Sequence, residues 1–420
     1  MALLNSGMGC ITNAFVSEIS GETIETIFQL FEALDSPCKL FVLLKPNLDP
    51  AAEVLYKLYT GSNTNQRVAP FNTHLNKSEF ILLLRGDNPD YPKNWYQLIQ
   101  TIRPKDTSGK QLVIEFDWSH HTFAVEESSS GAMDKGMSLL TSIGDDILII
   151  TTDTHPVKIK GDHAAIKNFL SKHGFKIDPV APAFFIENGD IMVGDGFVFV
   201  GIASFFRNYR IGNPDASIED FKTTLVKAYY KNESPPDIYV VGKPEQMEDD
   251  SFYHLDLFFN YAGEVGRNRH LFFCGYIPEE VINLLYANNQ EALHSIRLKQ
   301  TYLNDMYEMF CKIDEERFII KKIPLVVDGR FIYTFNNALV ERKGAIGNYI
   351  IPHYTGINEN YVSVGGTSAI VQDLVDRYYK IAFSVIEHSG FCVKPVDTSR
   401  CANDGINQSL HCIAAVLQRS

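Results

Sequence analysis

Residues 252–259 read Phe252-Tyr253-His254-Leu255-Asp256-Leu257-Phe258-Phe259, six aromatic or aliphatic side chains framing one histidine and one aspartate. Taken as a β-strand, the stretch projects alternate side chains from one face, so His254 and Asp256 point the same way. Removing both polar groups from water is costly unless each has a partner or a task. Two readings follow. One is a satisfied core histidine beside a solvated aspartate. The other is an imidazole and a carboxylate presented together to a site, and the rest of the chain has to decide between them.

Outward from this stretch the pattern is regular. Residues 252–259 and 270–276 form a hairpin, followed by a long helical region over 278–314 and β-rich runs at 321–327 and 330–340. Upstream, the runs 184–193 and 197–200 flank Gly194-Asp195-Gly196, a hairpin turn signal. A helix over 217–230 follows, with Ser217 as N-cap and Asp220 three residues on, close to a capping box. Residues 237–241 return as a strand. Downstream, 368–387 reads as a helix, 391–396 as a strand and 410–417 as the closing strand. Before residue 184, helical spacing at 23–34, 51–59, 95–102 and 164–173 alternates with β-rich runs at 39–44, 80–84, 111–118 and 146–152. The order strand, strand, helix, strand recurs at 184–241, 252–327 and 331–396. Unit lengths drift too much for a solenoid period. The expectation is one α/β domain over 1–420, with a helical insertion at about 278–315.

Composition narrows the function classes. The 420-residue chain is 45% hydrophobic and 21% charged, as packed globular proteins are. A net charge of −13 with no basic stripe argues against nucleic acid as partner. Seven cysteines lie scattered without a CxxC pair, and their odd number leaves at least one thiol unpaired, which points to a reducing compartment. The first residues lack the basic start and apolar run of a secretion signal, and no segment approaches the roughly 18 apolar residues of a membrane span. The expectation is a cytoplasmic protein without membrane contact, or one exported by a route that leaves no signal in the sequence; oligomeric state is not readable.

Two further segments join the first. Phe185-Ile186-Glu187-Asn188-Gly189-Asp190-Ile191 sets a carboxylate before a glycine, which lets another group approach the backbone closely. Ser409-Leu410-His411-Cys412-Ile413 places Cys412 near the chain end. With the Val-Phe-Val-Gly-Ile run at 198–202, the set Glu187, His254-x-Asp256 and Cys412, in that order, resembles the guanidine-modifying (pentein) superfamily of deiminases, dimethylaminohydrolases and amidinotransferases. Asn336-Asn337-Ala338-Leu339 followed by Ile350-Ile351-Pro352 is similar to the strand pair before the nucleophile in agmatine deiminases.

The resemblance implies a five-fold pseudosymmetric α/β propeller of ββαβ units around a central pocket, one unit combining the chain ends. It implies Cys412 as nucleophile, His254 as the group that moves protons and Glu187 as the partner that orients His254. Asp256 would hold the guanidinium in bidentate fashion. Asp117, in Glu115-Phe116-Asp117-Trp118, is expected as the second clamp, and Asp190 is placed with the substrate-binding carboxylates. No metal and no cofactor are implied. The substrate would be arginine, agmatine, a methylated arginine or a protein arginine. Two departures mark a divergent branch: Asn188-Gly189 stands where the family has Gly-Gly, and the glycine run before the nucleophile is reduced to Gly405-Ile406-Asn407-Gln408-Ser409. Three other readings stay open: an amidinotransferase, a non-catalytic interaction protein on the same scaffold, and a metal-dependent hydrolase using His254, Asp256 and Glu187.

Overall fold

The computed structural model describes residues 2–3, 6–19, 26, 29–30, 33–35, 38–44, 79–85, 112–117, 137–141, 147–151, 176–179, 188–206, 215–230, 234–242, 254–266, 268–329, 331–357, 359, 362, 364, 366–399, 410 and 414–419. The sequence-expected helices at 51–59, 95–102 and 164–173 lie outside them. The strands are β1 (Ala2–Leu3), β2 (Ile11–Ile19), β3 (Lys39–Leu44), β4 (Glu79–Arg85), β5 (Leu112–Asp117), β6 (Met137–Thr141), β7 (Ile147–Thr151), β8 (Lys176–Pro179), β9 (Ile191–Gly194), β10 (Phe197–Gly201), β11 (Asp237–Val241), β12 (Phe259–Glu264), β13 (His270–Tyr276), β14 (Phe318–Pro324), β15 (Val326–Asp328), β16 (Phe331–Tyr333), β17 (Leu339–Lys343), β18 (Ile346–His353), β19 (Phe391–Asp397) and β20 (Ala414–Arg419). The helices are α1 (Ile202–Phe205), α2 (Ile218–Tyr229), α3 (Glu279–Leu285), α4 (Gln290–Ile313) and α5 (Ser368–Glu387).

Five sheets share one pattern, in which a middle strand runs antiparallel to one neighbour and parallel to the other. The triplets are β6-β7-β8, β9-β10-β11, β12-β13-β14, β17-β18-β19 and β20-β2-β3. The last joins the end of the chain to its beginning, with Val16 opposite Ala414. Strands β4 and β5 extend that sheet in parallel, β1 adds to β6, and β15 pairs with β16. None of these sheets closes into a barrel among the described residues. The parallel pairs need long crossovers, which helices supply: α2 between β10 and β11, α3 and α4 between β13 and β14, and α5 between β18 and β19.

Local chemistry accounts for most of the boundaries. Ser217 and Asp220 form the full capping box that the sequence suggests. Thr367 caps α5, which buries Val371, Leu374, Val375, Tyr378, Ala382 and Ile386 along one stripe. Asn289 accepts from the Ala292 amide and starts α4, so the region 278–314 is two helices and not one. Gly196, at φ +73, closes the β9–β10 hairpin.

Other expectations shift. Of the run 184–193, Asn188–Asp190 form a 3-10 turn and strand β9 begins at Ile191, while 184–187 lie outside the described residues. The run 330–340 divides into β16 and β17, and of the closing run 410–417 Leu410 is helical and 414–417 lie in β20. Residues 252–259 are likewise not one strand: Leu255–Leu257 is a 3-10 turn, and β12 begins at Phe259. An alternating apolar run has the composition of both.

An aromatic cluster joins the triplets β9-β10-β11 and β12-β13-β14 through Phe197, Phe199, Phe259, Tyr261, Phe272 and Phe318, all buried. Phe259 stacks on Phe272 and on Phe310 of α4. Each such ring contributes about 1.5–3 kcal/mol by leaving water.

The strands β9, β12 and β17 hold equivalent places as the first strands of their triplets, and β12 lies beside both of the others. Their trailing ends are laced together by residues 6–11. The Ser6 amide donates to Val193 O (2.8 Å), and Ser6 Oγ accepts from the Val193 amide (3.1 Å). Gly7 packs on Gly263, and the Glu264 amide points at Met8 Sδ. Gly9 and Arg342 exchange backbone hydrogen bonds, and the Ile11 amide donates to Glu341 Oε1 (2.8 Å).

Candidate active site

The leading ends of the same strands hold the polar groups singled out in the sequence. His254 is the extended residue that opens the 3-10 turn, with φ −112 and ψ 135, and its carbonyl accepts from the Leu257 amide. Asp256 lies within the turn. Both are buried, at 3% and 2% exposure, which removes the reading of a solvated aspartate. Neighbouring elements fix the turn. Thr334 Oγ1 donates to Leu257 O (2.6 Å), and Asn260 Nδ2 donates to Asn336 O (2.5 Å) and to Ala338 O (2.9 Å). Sequence reasoning did not single out Thr334 or Asn260. The signal available was a polar residue inside an apolar run, with no partner visible nearby in sequence.

Although the backbone is not a strand, His254 and Asp256 still meet at one place, and that place is Gly189. A Cβ on Gly189 would lie 2.9 Å from His254 Nδ1 and 2.9 Å from Asp256 Oδ2. Real Cβ atoms do not approach polar atoms so closely, so the absent side chain is what lets the two 3-10 turns, 188–190 and 255–257, pack together. The functional consequence is direct: an imidazole nitrogen and a carboxylate oxygen face one patch of backbone in a buried setting.

Asp190 follows Gly189 and is 1% exposed. Its Oδ2 accepts from the Ser204 amide (2.9 Å) and from Ser204 Oγ, and its Oδ1 covers Gly201, occupying the space a Cβ there would need. The carboxylate expected to bind substrate therefore caps α1 from outside it. Burial raises the pKa of the Tyr302 phenol above its ordinary value, and the nearby Asp190 charge adds to that effect.

Asp117 is the last residue of β5, at the far edge of the order β20-β2-β3-β4-β5. Four strand spacings of about 4.8 Å put it roughly 19 Å from β20. The structure does not bring Asp117 to the strand that follows Cys412. Glu187 and Cys412 lie outside the described residues. Among the described residues, no group of three or more His, Cys, Asp or Glu could hold a metal ion, and no helix is long and apolar enough to cross a membrane.

No protein-family model and no curated protein matches the chain. Solved structures do. The agmatine deiminase of Enterococcus faecalis is 12% identical, with a TM-score of 0.52, covering 100% of this chain and 96% of that one. A protein provisionally assigned as a peptidyl-arginine deiminase is 13% identical, with a TM-score of 0.52 and coverage of 100% and 99%. Another, provisionally assigned as an agmatine deiminase, is 12% identical, with a TM-score of 0.53 and coverage of 98% and 94%. At such identities the likeness is one of fold.

Proposed function

We propose that this chain, which has the fold of the guanidine-modifying (pentein) superfamily, is a cysteine-dependent hydrolase of a guanidinium group on an arginine-like small molecule or a protein arginine. The observation that carries the reading is the meeting of His254 and Asp256 on Gly189, two residues after Glu187 and at the leading end of β9. Cys412 stands two residues ahead of β20, which is the first strand of its triplet as β9 and β12 are of theirs. The five triplets fit five ββαβ units arranged around one central pocket, with the site where their first strands begin.

In this reading the Cys412 thiolate adds to the guanidinium carbon, whose electrons pass to nitrogen. Asp256 accepts N–H bonds from the guanidinium and keeps it planar and charged. The C–N bond then breaks as His254 gives its proton to the leaving amine, leaving a covalent thiouronium on sulfur. The neutral imidazole takes a proton from water, hydroxide adds to the same carbon, and the C–S bond breaks while the added hydroxyl gives up its proton to solvent, leaving a ureido product and the free thiolate. Glu187 stabilises the charged form of His254 by hydrogen bonding. Asp117 is given no part, because of its distance from β20. Among the described residues Cys10, Cys274, Cys311 and Cys392 are free thiols, which suits a reducing, cytoplasmic setting.

The test is incubation with arginine, agmatine, methylated arginines and an arginine-containing peptide, with ureido product and ammonia measured. Turnover of one of them is expected, abolished by Cys412→Ala, with Cys412-dependent labelling by a haloacetamidine. No turnover and no such labelling would remove the reading. Product formation that requires an added amine would make the enzyme an amidinotransferase instead.

A further inference from the structure

Asp190 is buried as deeply as His254 and Asp256, and each of its oxygens lies against the exit of β10. One is engaged twice by Ser204, through the amide at 2.9 Å and through Oγ. The other lies over the Cα of Gly201, where any side chain would collide with it. Both Ser204 and Gly201 belong to the exit of β10, the middle strand of the triplet whose first strand Asp190 precedes. The Tyr302 phenol of α4, which senses the Asp190 charge, lies near Gly242 at the end of β11. The carboxylate thus lies against the exit of its own sheet, close enough to α4 for Tyr302 to feel its charge.

What this enclosure fixes is the residue before it. A 3-10 turn of three residues has little internal hydrogen bonding, so its position depends on what its ends hold. At the C-terminal end Asp190 is tied to Ser204. One residue earlier Gly189 touches His254 and Asp256, with no space for even one added carbon. A shift of a few tenths of an ångström at Asp190 would pass directly to both groups.

We propose that Asp190 and Ser204 form a buried positioning pair that holds Gly189 against His254 and Asp256, so that the carboxylate acts on the site through the turn and not on the substrate. The inference rests on the function proposed above only for its kinetic arm. It replaces the sequence expectation of a substrate ligand with a different role for the same residue. The two roles separate cleanly, because a ligand acts on substrate affinity and a positioning residue acts on the groups it places.

The experiment compares Asp190→Asn, Ser204→Ala and the double variant with the wild type in the full chain. One readout needs no substrate: the rate at which diethyl pyrocarbonate acylates His254, followed by peptide mass spectrometry on variants whose folding is checked by circular dichroism. Loosening the turn uncovers an imidazole that is 3% exposed, so acylation should rise about fivefold in either single variant, and the double variant should match Asp190→Asn because the two residues act as one unit. The second readout is kinetic: kcat should fall roughly tenfold while KM moves less than about threefold. A raised KM with unchanged kcat and unchanged acylation would make Asp190 a substrate ligand and overturn the proposal. Unchanged acylation in folded Ser204→Ala would overturn it too, even if Asp190→Asn fails to fold. Should the wild type turn over no guanidine, the proposed reaction fails while the acylation arm still decides the positioning role.

Discussion

At the leading ends of β9 and β12 the groups that meet are side chains, whereas at the trailing ends of the same strands they are mostly backbone. In front, the imidazole of His254 and the carboxylate of Asp256 converge on Gly189, and the next residue, Asp190, is held by Ser204. Behind, residues 6–11 satisfy Val193, Arg342 and Glu341 through amides and carbonyls. Both ends depend on a glycine at closest approach, Gly189 in front and the pair Gly7 and Gly263 behind. The lesson is that one packing device serves two purposes. Buried side-chain polar groups cost folding energy and are retained where they can act on something; backbone hydrogen bonds complete a ladder and hold the first strands together.

If the two ends are divided in this way, damage behind should lower stability and damage in front should lower activity. Gly263 has φ +89, and a Cβ there would lie 2.5 Å from Gly7 O. Gly263→Ala combines left-handed strain with overpacking, and about 3–4 kcal/mol of stability should be lost in denaturant unfolding. Its kcat, measured below the transition, should remain within about twofold of wild type. An equal fall in kcat would break the division.

Gly189→Ala should do the reverse. Its added carbon displaces His254 or Asp256, and kcat/KM should fall on the order of 100-fold, equivalent to about 2.7 kcal/mol at the transition state. The melting temperature should change far less than in Gly263→Ala. A variant with full activity would show that the contact at Gly189 is not where the site is set.

The smallest effect concerns pH. His270 opens β13, opposite Glu264 at the trailing end, and bonds Tyr261 through Nδ1 (2.9 Å). Burial, and then the Arg317 charge, hold its imidazole below the ordinary histidine value, against the opposing charges of Glu264 and Asp195. The unfolded chain protonates near the ordinary value of about 6.5, while the folded chain protonates only at lower pH. This contribution is therefore complete above that value and is lost as pH falls through it, at no more than about 1.4 kcal/mol per pH unit. Thermal melts from about pH 7.5 to 5.5 should show the decline, and His270→Gln should flatten it. A slope unchanged in His270→Gln would place the acid sensitivity elsewhere.

Much of the architecture is legible in the order of the amino acids. The hairpin at Gly194-Asp195-Gly196, the Ser217 capping box and the span of α5 follow from local chemistry, and the ββαβ order at 184–241, 252–327 and 331–396 is the order of three sheets. What sequence mistook were the stretches just before the first strands. Residues 252–259 and 184–193 look like strands because their apolar alternation is strand-like, yet in both a 3-10 turn precedes the strand. Hydrophobic period reports burial, and a buried turn between two packed sheets is as apolar as a buried strand. Asp117 shows the other limit. It ends β5, and β4 lies between β3 and β5, an order of strands that no local pattern carries.

The amino-acid order alone determined which residue types are available to one chemistry and in what succession: Glu187, His254, Asp256, Cys412. It also determined α2, α5 and the β9–β10 hairpin, because caps, turns and apolar stripes act within a few residues. Only the tertiary structure decided that His254 and Asp256 converge on Gly189, that Asp190 turns to Ser204, and that residues 6–11 span three strands. Those are contacts between atoms distant in sequence, fixed by close packing of sheets, and no local periodicity carries them.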